Sequence, residues 1–65
     1  MNKPTIIIEW QNSRFECFEL ESGWHITFQV KFINAESIET GTMDIDKKLS
    51  QLQLFIMLKK VFLVI

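Results

Sequence analysis

Residues 47–65 read KKLSQLQLFIMLKKVFLVI, and this stretch decides the fold. Its apolar residues recur at spacings of three and four, which is the period of an α-helix. They form three lines along such a helix: Leu49, Leu52 and Ile56; Leu54, Leu58, Val61 and Ile65; Phe55 and Phe62. Asp46 is the predicted N-cap, because its carboxylate can accept the N–H groups of the first turn.

From Leu54 onward the predicted helix is apolar around most of its circumference, relieved only by Lys59 and Lys60. A helix of this kind must be buried on more than one side. One side can pack on a sheet, and a chain of 65 residues has nothing further to cover the other. The sequence therefore predicts a homodimer through the helix. The predicted interface residues are Leu54, Phe55, Leu58, Val61, Phe62 and Ile65.

Three other interpretations of the stretch stay open. A membrane span needs about 20 mostly apolar residues, whereas Gln51, Gln53 and two lysines interrupt this run. An interfacial amphipathic helix would have only a thin polar face. The β-branched Val61, Val64 and Ile65 also suit a final strand.

Four segments before the helix alternate apolar and polar residues, as strands do. The predicted strands and the turns between them are 5–11, 14–20, 24–33 and 38–45, separated by 12–13, 21–23 and 34–37. The third is the most regular, with one apolar face from Trp24 to Phe32 and one polar face, as expected for a central strand. In the fourth we expect Gly41, Met43 and Ile45 to face the core, with Met43 near Phe28.

The second strand breaks the alternation, because Phe15 and Cys17 are followed by Phe18 and Leu20. A β-bulge at positions 17 and 18 would bring all four onto one face. The predicted core-face partners are then Trp10 with Phe15, Ile8 with Cys17 and Phe18, Ile6 with Leu20, Leu20 with Ile26, Phe18 with Phe28, and Phe15 with Val30. The predicted fold is α+β: one domain, 1–65, with a four-stranded antiparallel meander and a C-terminal helix on its apolar face, in the order ββββα.

Charge is distributed unevenly along the chain, whose net charge is −1. Residues 1–46 hold all eight acidic residues against three basic ones, a net −5, whereas residues 47–65 hold four lysines and no acid, a net +4. Such asymmetry concerns partners rather than the fold. The lone Cys17 indicates a reducing compartment, and no signal-peptide pattern stands at the N-terminus, so we expect a cytoplasmic protein.

The residues offer little for catalysis. Cys17 and His25 are the only cysteine and histidine, and the predicted strands place them on opposite faces of the sheet. A buried thiol in apolar surroundings is inert. One histidine and one cysteine that do not converge are too few for a metal site. The glycines, Gly23 and Gly41, form no phosphate-binding loop. We expect no enzymatic activity, metal or cofactor.

The acidic face of the sheet is the predicted docking surface. The sequence favours a small homodimeric binding protein that docks this face onto a basic surface of a macromolecular partner, as an inhibitor or regulator. The candidate partner-binding residues are Glu9, Glu16, Gln29 and Glu39. In the predicted register Glu9 and Glu16 are cross-strand neighbours, Gln29 lies next to Glu16, and Arg14 lies across from Lys31 and offsets the acids.

The order ββββα with a dimerising helix is similar to that of whirly-type single-strand nucleic-acid binders, and the similarity is one of topology alone. It implies single-stranded nucleic acid as the alternative partner. Such binders use a basic groove with stacking aromatics. Here the strand segments are acidic and most aromatics are expected in the core, so nucleic acid is the second choice.

Overall fold

The computed structural model describes residues 3–10, 12–31 and 37–62, and it confirms the predicted α+β fold. The strands are β1 (Ile6–Trp10), β2 (Ser13–Glu19), β3 (Trp24–Val30) and β4 (Glu39–Ile45), followed by helix α1 (Gln51–Phe62). The sheet order is β1-β2-β3-β4, so each strand pairs with its sequence neighbour in an antiparallel meander. The helix covers one face, called here the inner face, and leaves the outer face exposed.

The core lies between the inner face and α1. Its fully buried or nearly buried residues are Ile8, Phe15, Cys17, Trp24, Ile26, Val30, Leu54 and Leu58. Successive side chains of a strand alternate between faces, so the regular alternation of β3 places Trp24, Ile26 and Val30 inward, as predicted. Burial of each large apolar side chain contributes about 1.5–3 kcal/mol.

The register of the first hairpin differs from the predicted one by two residues. Trp10 pairs with Ser13, so the connecting residues are 11 and 12 rather than 12 and 13. Ile8 consequently lies opposite Phe15, and Ile6 opposite Cys17. The predicted pairs were wrong because they followed from a turn at 12–13, and moving a two-residue turn by one position shifts the pairing by two residues.

The predicted bulge was also wrong: β2 pairs with β3 without interruption from Arg14 to Glu19. Phe18 lies on the outer face opposite His25, and Leu20 follows the end of the strand, 47% exposed. A bulge leaves one residue out of the hydrogen-bonded ladder. The regular ladder avoids that loss, and a half-buried Phe18 on the outer face is the result.

The third hairpin, β3 with β4, confirms that Gly41, Met43 and Ile45 lie on the inner side of β4. Met43 lies opposite Ile26 and diagonal to Phe28, whereas Gly41 lies directly opposite Phe28. A Cβ atom at position 41 would lie 2.8 Å from the Phe28 ring. Glycine at this position therefore leaves room for the aromatic ring.

The other glycine, Gly23, allows two chain segments to touch. It lies in the turn between β2 and β3, and a Cβ atom there would lie 1.7 Å from the carbonyl oxygen of Ile45. The turn is closed by a hydrogen bond from Leu20 N to Gly23 O (2.8 Å). Lys48 Nζ crosses it and donates to Leu20 O (2.7 Å) and to Glu19 Oε2 (2.9 Å). The segment after β4 is thus held against this turn.

Helix α1 begins at Gln51, four residues later than an N-cap at Asp46 requires, so that prediction was wrong. The N-cap is Ser50, whose Oγ accepts the Gln53 N–H (3.1 Å), while Gln53 Oε1 accepts the Ser50 N–H (2.9 Å). This reciprocal pair is a capping box. Just before it, the carbonyl of Leu49 accepts the indole N–H of Trp24 (2.9 Å), which keeps the start of the helix over the core.

Helix α1 covers mainly β1, β2 and β3. Leu54 and Leu58 are fully buried against the sheet. Phe55 packs edge-on against Trp10, with ring centroids 6.0 Å apart. Phe62 lies 5.0 Å from Phe15 and 5.1 Å from Phe28 by the same measure. The exposed apolar residues of the helix are Leu52 (67%), Ile56 (46%) and Val61 (48%).

Val61 is helical, so it does not begin a final strand; Val64 and Ile65 lie outside the described residues. Phe32 and Ile33, predicted as the end of the third strand, also lie outside them. Within the described part of the chain, α1 is the single helix, and its 12 residues are too few to cross a bilayer.

Candidate docking face

The outer face carries most of the polar residues of the four strands. Because cross-strand partners share a face, the pairing sets out three rows of side chains across the sheet. These rows are Glu9, Arg14, Gln29 and Thr40; Ile7, Glu16, Thr27 and Thr42; and Phe18, His25 and Asp44. We call them the first, second and third rows.

Arg14 joins the two glutamates of the first and second rows. Its Nη1 lies 2.7 Å from Glu9 Oε2, and its Nε and Nη2 each lie 3.3 Å from Glu16 Oε2. The hydrogen bond to Glu9 is the main reason that the pKa of Arg14 is raised, and Glu16 adds to the effect. The three side chains are 38–60% exposed, so these ion pairs add little to stability. Their effect is to fix where the carboxylates lie.

The predicted neighbours on this face were wrong in detail because of the register shift. Glu9 lies opposite Arg14 rather than Glu16, and Glu16 lies between Ile7 and Thr27. Gln29 is the β3 neighbour of Arg14, and Lys31 follows the end of β3. The actual pairing puts a guanidinium between the acids and avoids like charges directly opposite each other.

Three of the four predicted partner-binding residues come together. Glu9, Glu16 and Gln29 surround Arg14 on the outer face. Glu39 pairs with Val30, a core residue, so its side chain leaves the opposite side of the sheet. The exposed residues of β4 on the outer face are instead Thr40, Thr42 and Asp44.

A shallow depression of about 340 Å³ runs across the first two rows. Its side-chain lining consists of Arg14, Glu16, Thr27, Gln29, Thr40 and Thr42. One wall is charged and the floor is made of short hydroxyl-bearing side chains. Thr27 Oγ1 lies 3.5 Å from Glu16 Oε1, so the floor also contacts the carboxylate.

The third row holds a contact that the sequence prediction missed. His25 Nδ1 lies 2.6 Å from Asp44 Oδ1, and both side chains are exposed to solvent. The ring of Phe18 lies beside the imidazole, with centroids 6.2 Å apart. Both polar residues were visible as outward positions of their strands, but only the register of β3 against β4 brings them together.

Cys17 lies on the inner face, as predicted, and His25 on the outer face. Desolvation raises the pKa of the Cys17 thiol from its ordinary value of 9.0 to about 11. The thiol is therefore protonated at neutral pH, and a protonated, buried sulfur is a poor nucleophile and metal ligand.

The charge of the molecule differs between its two sides. The outer face holds the carboxylates of Glu9, Glu16 and Asp44 against the single guanidinium of Arg14. The helix side holds lysines: Lys59 lies over the ring of Phe55 at 5.4 Å, and Lys60 is exposed. The negative charge of the outer face therefore favours a cationic partner.

Comparison with known proteins adds no relative: no family model, curated protein or solved structure matches this chain. Within residues 3–10, 12–31 and 37–62, no group of three histidine, cysteine, aspartate or glutamate side chains is placed to hold a metal ion. The outer face, where Arg14 holds two carboxylates in place, is therefore the candidate functional site.

Proposed function

We propose that this chain is a non-enzymatic binding protein that docks its outer sheet face onto a basic surface of a macromolecular partner, as an inhibitor or regulator. The observation that supports the proposal most is the placement of Glu9 and Glu16 around Arg14, because it holds two exposed carboxylates in a defined geometry. Groups that are ordered before binding lose less conformational entropy when a partner arrives.

Each carboxylate keeps capacity for a partner. Arg14 contacts Oε2 of Glu9 and Oε2 of Glu16. An ionised carboxylate has about four lone-pair sites on its two oxygens. A lysine or arginine of the partner can therefore bind the remaining sites without displacing Arg14.

The rest of the face suits the same kind of partner. Thr27, Thr40 and Thr42 supply hydroxyl groups, and Gln29 supplies an amide, around the shallow depression. A partner arginine entering it would meet Glu16 at the wall. The nucleic-acid groove of an enzyme is one basic surface with this chemistry, and blocking it would make the chain an inhibitor.

The same face argues against single-stranded nucleic acid as the partner. Bases are usually held by stacking on exposed aromatics in a basic groove. Here Trp10, Phe15, Phe28, Phe55 and Phe62 pack among themselves on the inner side. The outer face presents excess negative charge, which repels phosphates.

The test is a charge reversal on the face and a matched reversal away from it. Immobilised wild-type protein, the Glu9→Lys/Glu16→Lys variant and the Glu21→Lys/Asp46→Lys variant are used to capture partners from the native host. Both variants reverse two acidic residues, so their net charge is the same. We expect a partner that is retained by wild type and by the control variant and is lost from the outer-face variant, with affinity reduced at least about tenfold, or 1.4 kcal/mol.

Salt and a labelled oligonucleotide complete the test. Binding to a basic protein surface should weaken with added salt, because the Debye length is about 8 Å at physiological ionic strength. In a fluorescence-anisotropy titration the oligonucleotide should not bind. Tight oligonucleotide binding that strengthens when Glu9 and Glu16 are reversed would contradict the proposal and favour the nucleic-acid alternative.

A further inference from the structure

Strand β4 is the strand of the sheet that helix α1 covers least. None of the seven residues Glu39–Ile45 is fully buried, although Met43 and Ile45 are apolar and turned toward the helix side. Within the described residues β4 pairs with β3 alone, so its other edge presents backbone N–H and C=O groups to solvent. An edge with those features is a template for another strand.

A groove of about 380 Å³ lies between this edge and helix α1. Its apolar lining is Ile45, Leu49, Ile56 and Met57, and Lys47 and Lys60 contribute ammonium groups. Any strand that pairs with β4 also places its inward side chains at this groove. A strand that complements this groove needs an apolar side chain and a carboxylate on the same face.

We propose that the incoming strand is β4 of a second copy, so that two chains form one continuous antiparallel sheet across a two-fold axis. Self-association was predicted from the sequence, and pairing of the two β4 strands gives it a specific interface. It differs from a dimer through the helix, because Leu54 and Leu58 are already fully buried against the sheet of their own chain.

The register follows from symmetry and from the faces of the strand. Inner residues must lie opposite inner residues, since a shift by one residue would turn every side chain to the other face. The register that pairs all of Glu39–Ile45 is centred on Thr42, which then lies opposite the partner's Thr42. Gly41 lies opposite the partner's Met43, so the missing side chain makes room for a large one.

Charge complementarity supports the same register. Glu39 lies opposite the partner's Ile45, which lines the partner's groove together with its two lysines. The carboxylate of Glu39 therefore enters the groove near Lys47 and Lys60 of the partner subunit, and symmetry repeats the contact. On the outer face Asp44 lies opposite the partner's Thr40, so no like charges are directly paired. This interface also gives a role to Glu39, which lies away from the outer-face acids.

The edge strand at the other side of the sheet is less suited to pairing. Pro4 lies two residues before the start of β1 and lacks an N–H group. Trp10 at the end of β1 is already covered by Phe55. At β4 the open edge and the open groove coincide.

A symmetric cross-link tests the register. Residues directly opposite in an antiparallel pair have Cα atoms about 4.5–5.5 Å apart, within the range that a disulfide bridges. Under mild oxidation Thr42→Cys should give a disulfide-linked dimer on a non-reducing gel. Thr40→Cys, two residues from the axis on the same exposed face, should form no disulfide and should migrate as a single chain on that gel. Equal cross-linking of both variants, or of neither, would overturn the register.

A charge swap tests the contact without a cross-link. Sedimentation equilibrium from micromolar to millimolar concentration should show a wild-type dimer, and Glu39→Lys should raise its dissociation constant at least about tenfold. Adding Lys47→Glu and Lys60→Glu should restore it. Leu52→Lys, on the exposed side of the helix, should leave it unchanged. A monomeric wild type, or a dimer lost in Leu52→Lys and kept in Glu39→Lys, would overturn the proposal. No docking partner is needed, so the result is independent of the proposed function.

Discussion

Strands β1–β3 and strand β4 belong to one sheet, yet their environments differ. β1, β2 and β3 contribute six of the buried core residues, and β4 contributes none. An α-helix is about 10 Å across with its side chains, whereas neighbouring strands are about 4.8 Å apart. One helix therefore covers two or three strands, and a four-stranded sheet under a single helix keeps one strand partly open. In this chain the open strand is the one with a complementary edge.

The largest effect should separate the two regions directly. Phe15→Ala removes a ring that has no solvent exposure and contacts Trp10, Phe28 and Phe62. We expect it to lower the free energy of unfolding by about 3–5 kcal/mol. Met43→Ala on β4 should cost the monomer only about 1 kcal/mol, because its side chain is half-exposed. Urea denaturation at low protein concentration measures both, and equal losses would contradict the division into covered and open strands.

A smaller effect should come from the thiol in the covered region. Cys17→Ala should cost about 1–2 kcal/mol at neutral pH through lost contacts and a small cavity. The thiol pKa is higher in the folded protein, about 11, than its ordinary 9.0. Its stabilising contribution is therefore complete below about pH 9 and is lost as the pH rises toward 11.

The difference in unfolding free energy between wild type and Cys17→Ala should accordingly shrink above about pH 9, by up to roughly 1.4 kcal/mol per pH unit. The variant is the control for the lysines, which titrate in both proteins. Rapid reaction of the native protein with a thiol reagent would contradict the burial of Cys17.

The smallest of these effects on stability concerns the start of helix α1, which covers the sheet. Ser50→Ala removes the N-cap hydroxyl that binds the Gln53 N–H, and it should lower stability by about 1 kcal/mol. Ser22→Ala, in the exposed turn between β2 and β3, should be nearly neutral. Hydrogen exchange should show faster opening of the first turn of α1. Equal stability of the two variants would contradict the capping box.

The parts of the fold that were predictable are those in which pattern and burial agree. β3 alternates without exception over the described residues, and its inner side chains meet the core. Cys17 was placed correctly because it is flanked by Glu16 and lies two residues from Phe15. The element order followed from the change of hydrophobic period from two to about 3.6.

The register of β1 against β2 was not predictable in the same way. Phe18 is as apolar as Phe15, and the predicted bulge would bury both side chains. Burying one more aromatic did not outweigh a continuous ladder of hydrogen bonds. Because cross-strand contacts depend on register, the Arg14 ion pairs were missed with it. The His25–Asp44 contact depends instead on the register of β3 against β4.

The start of the helix was missed for a different reason. Asp46 is a good N-cap residue, but the spacing Ser50-x-x-Gln53 is the stronger signal and was present in the sequence. The tertiary contact from Trp24 to Leu49 then holds the chain before the cap in a non-helical conformation. The capping box and the contact from Trp24 both favour a helix that begins after Ser50, and neither involves Asp46.

The order of elements along the chain also bears on synthesis. All strand pairs are between sequence neighbours, so the sheet can assemble progressively as the ribosome releases it. Its cover comes last: Phe55 meets Trp10 only after more than forty intervening residues have been made. Until then the apolar face of the nascent sheet is open to solvent. Occupancy of this face by a chaperone during translation, followed by displacement when α1 docks, is the expected cellular consequence of carrying the cover at the C-terminal side.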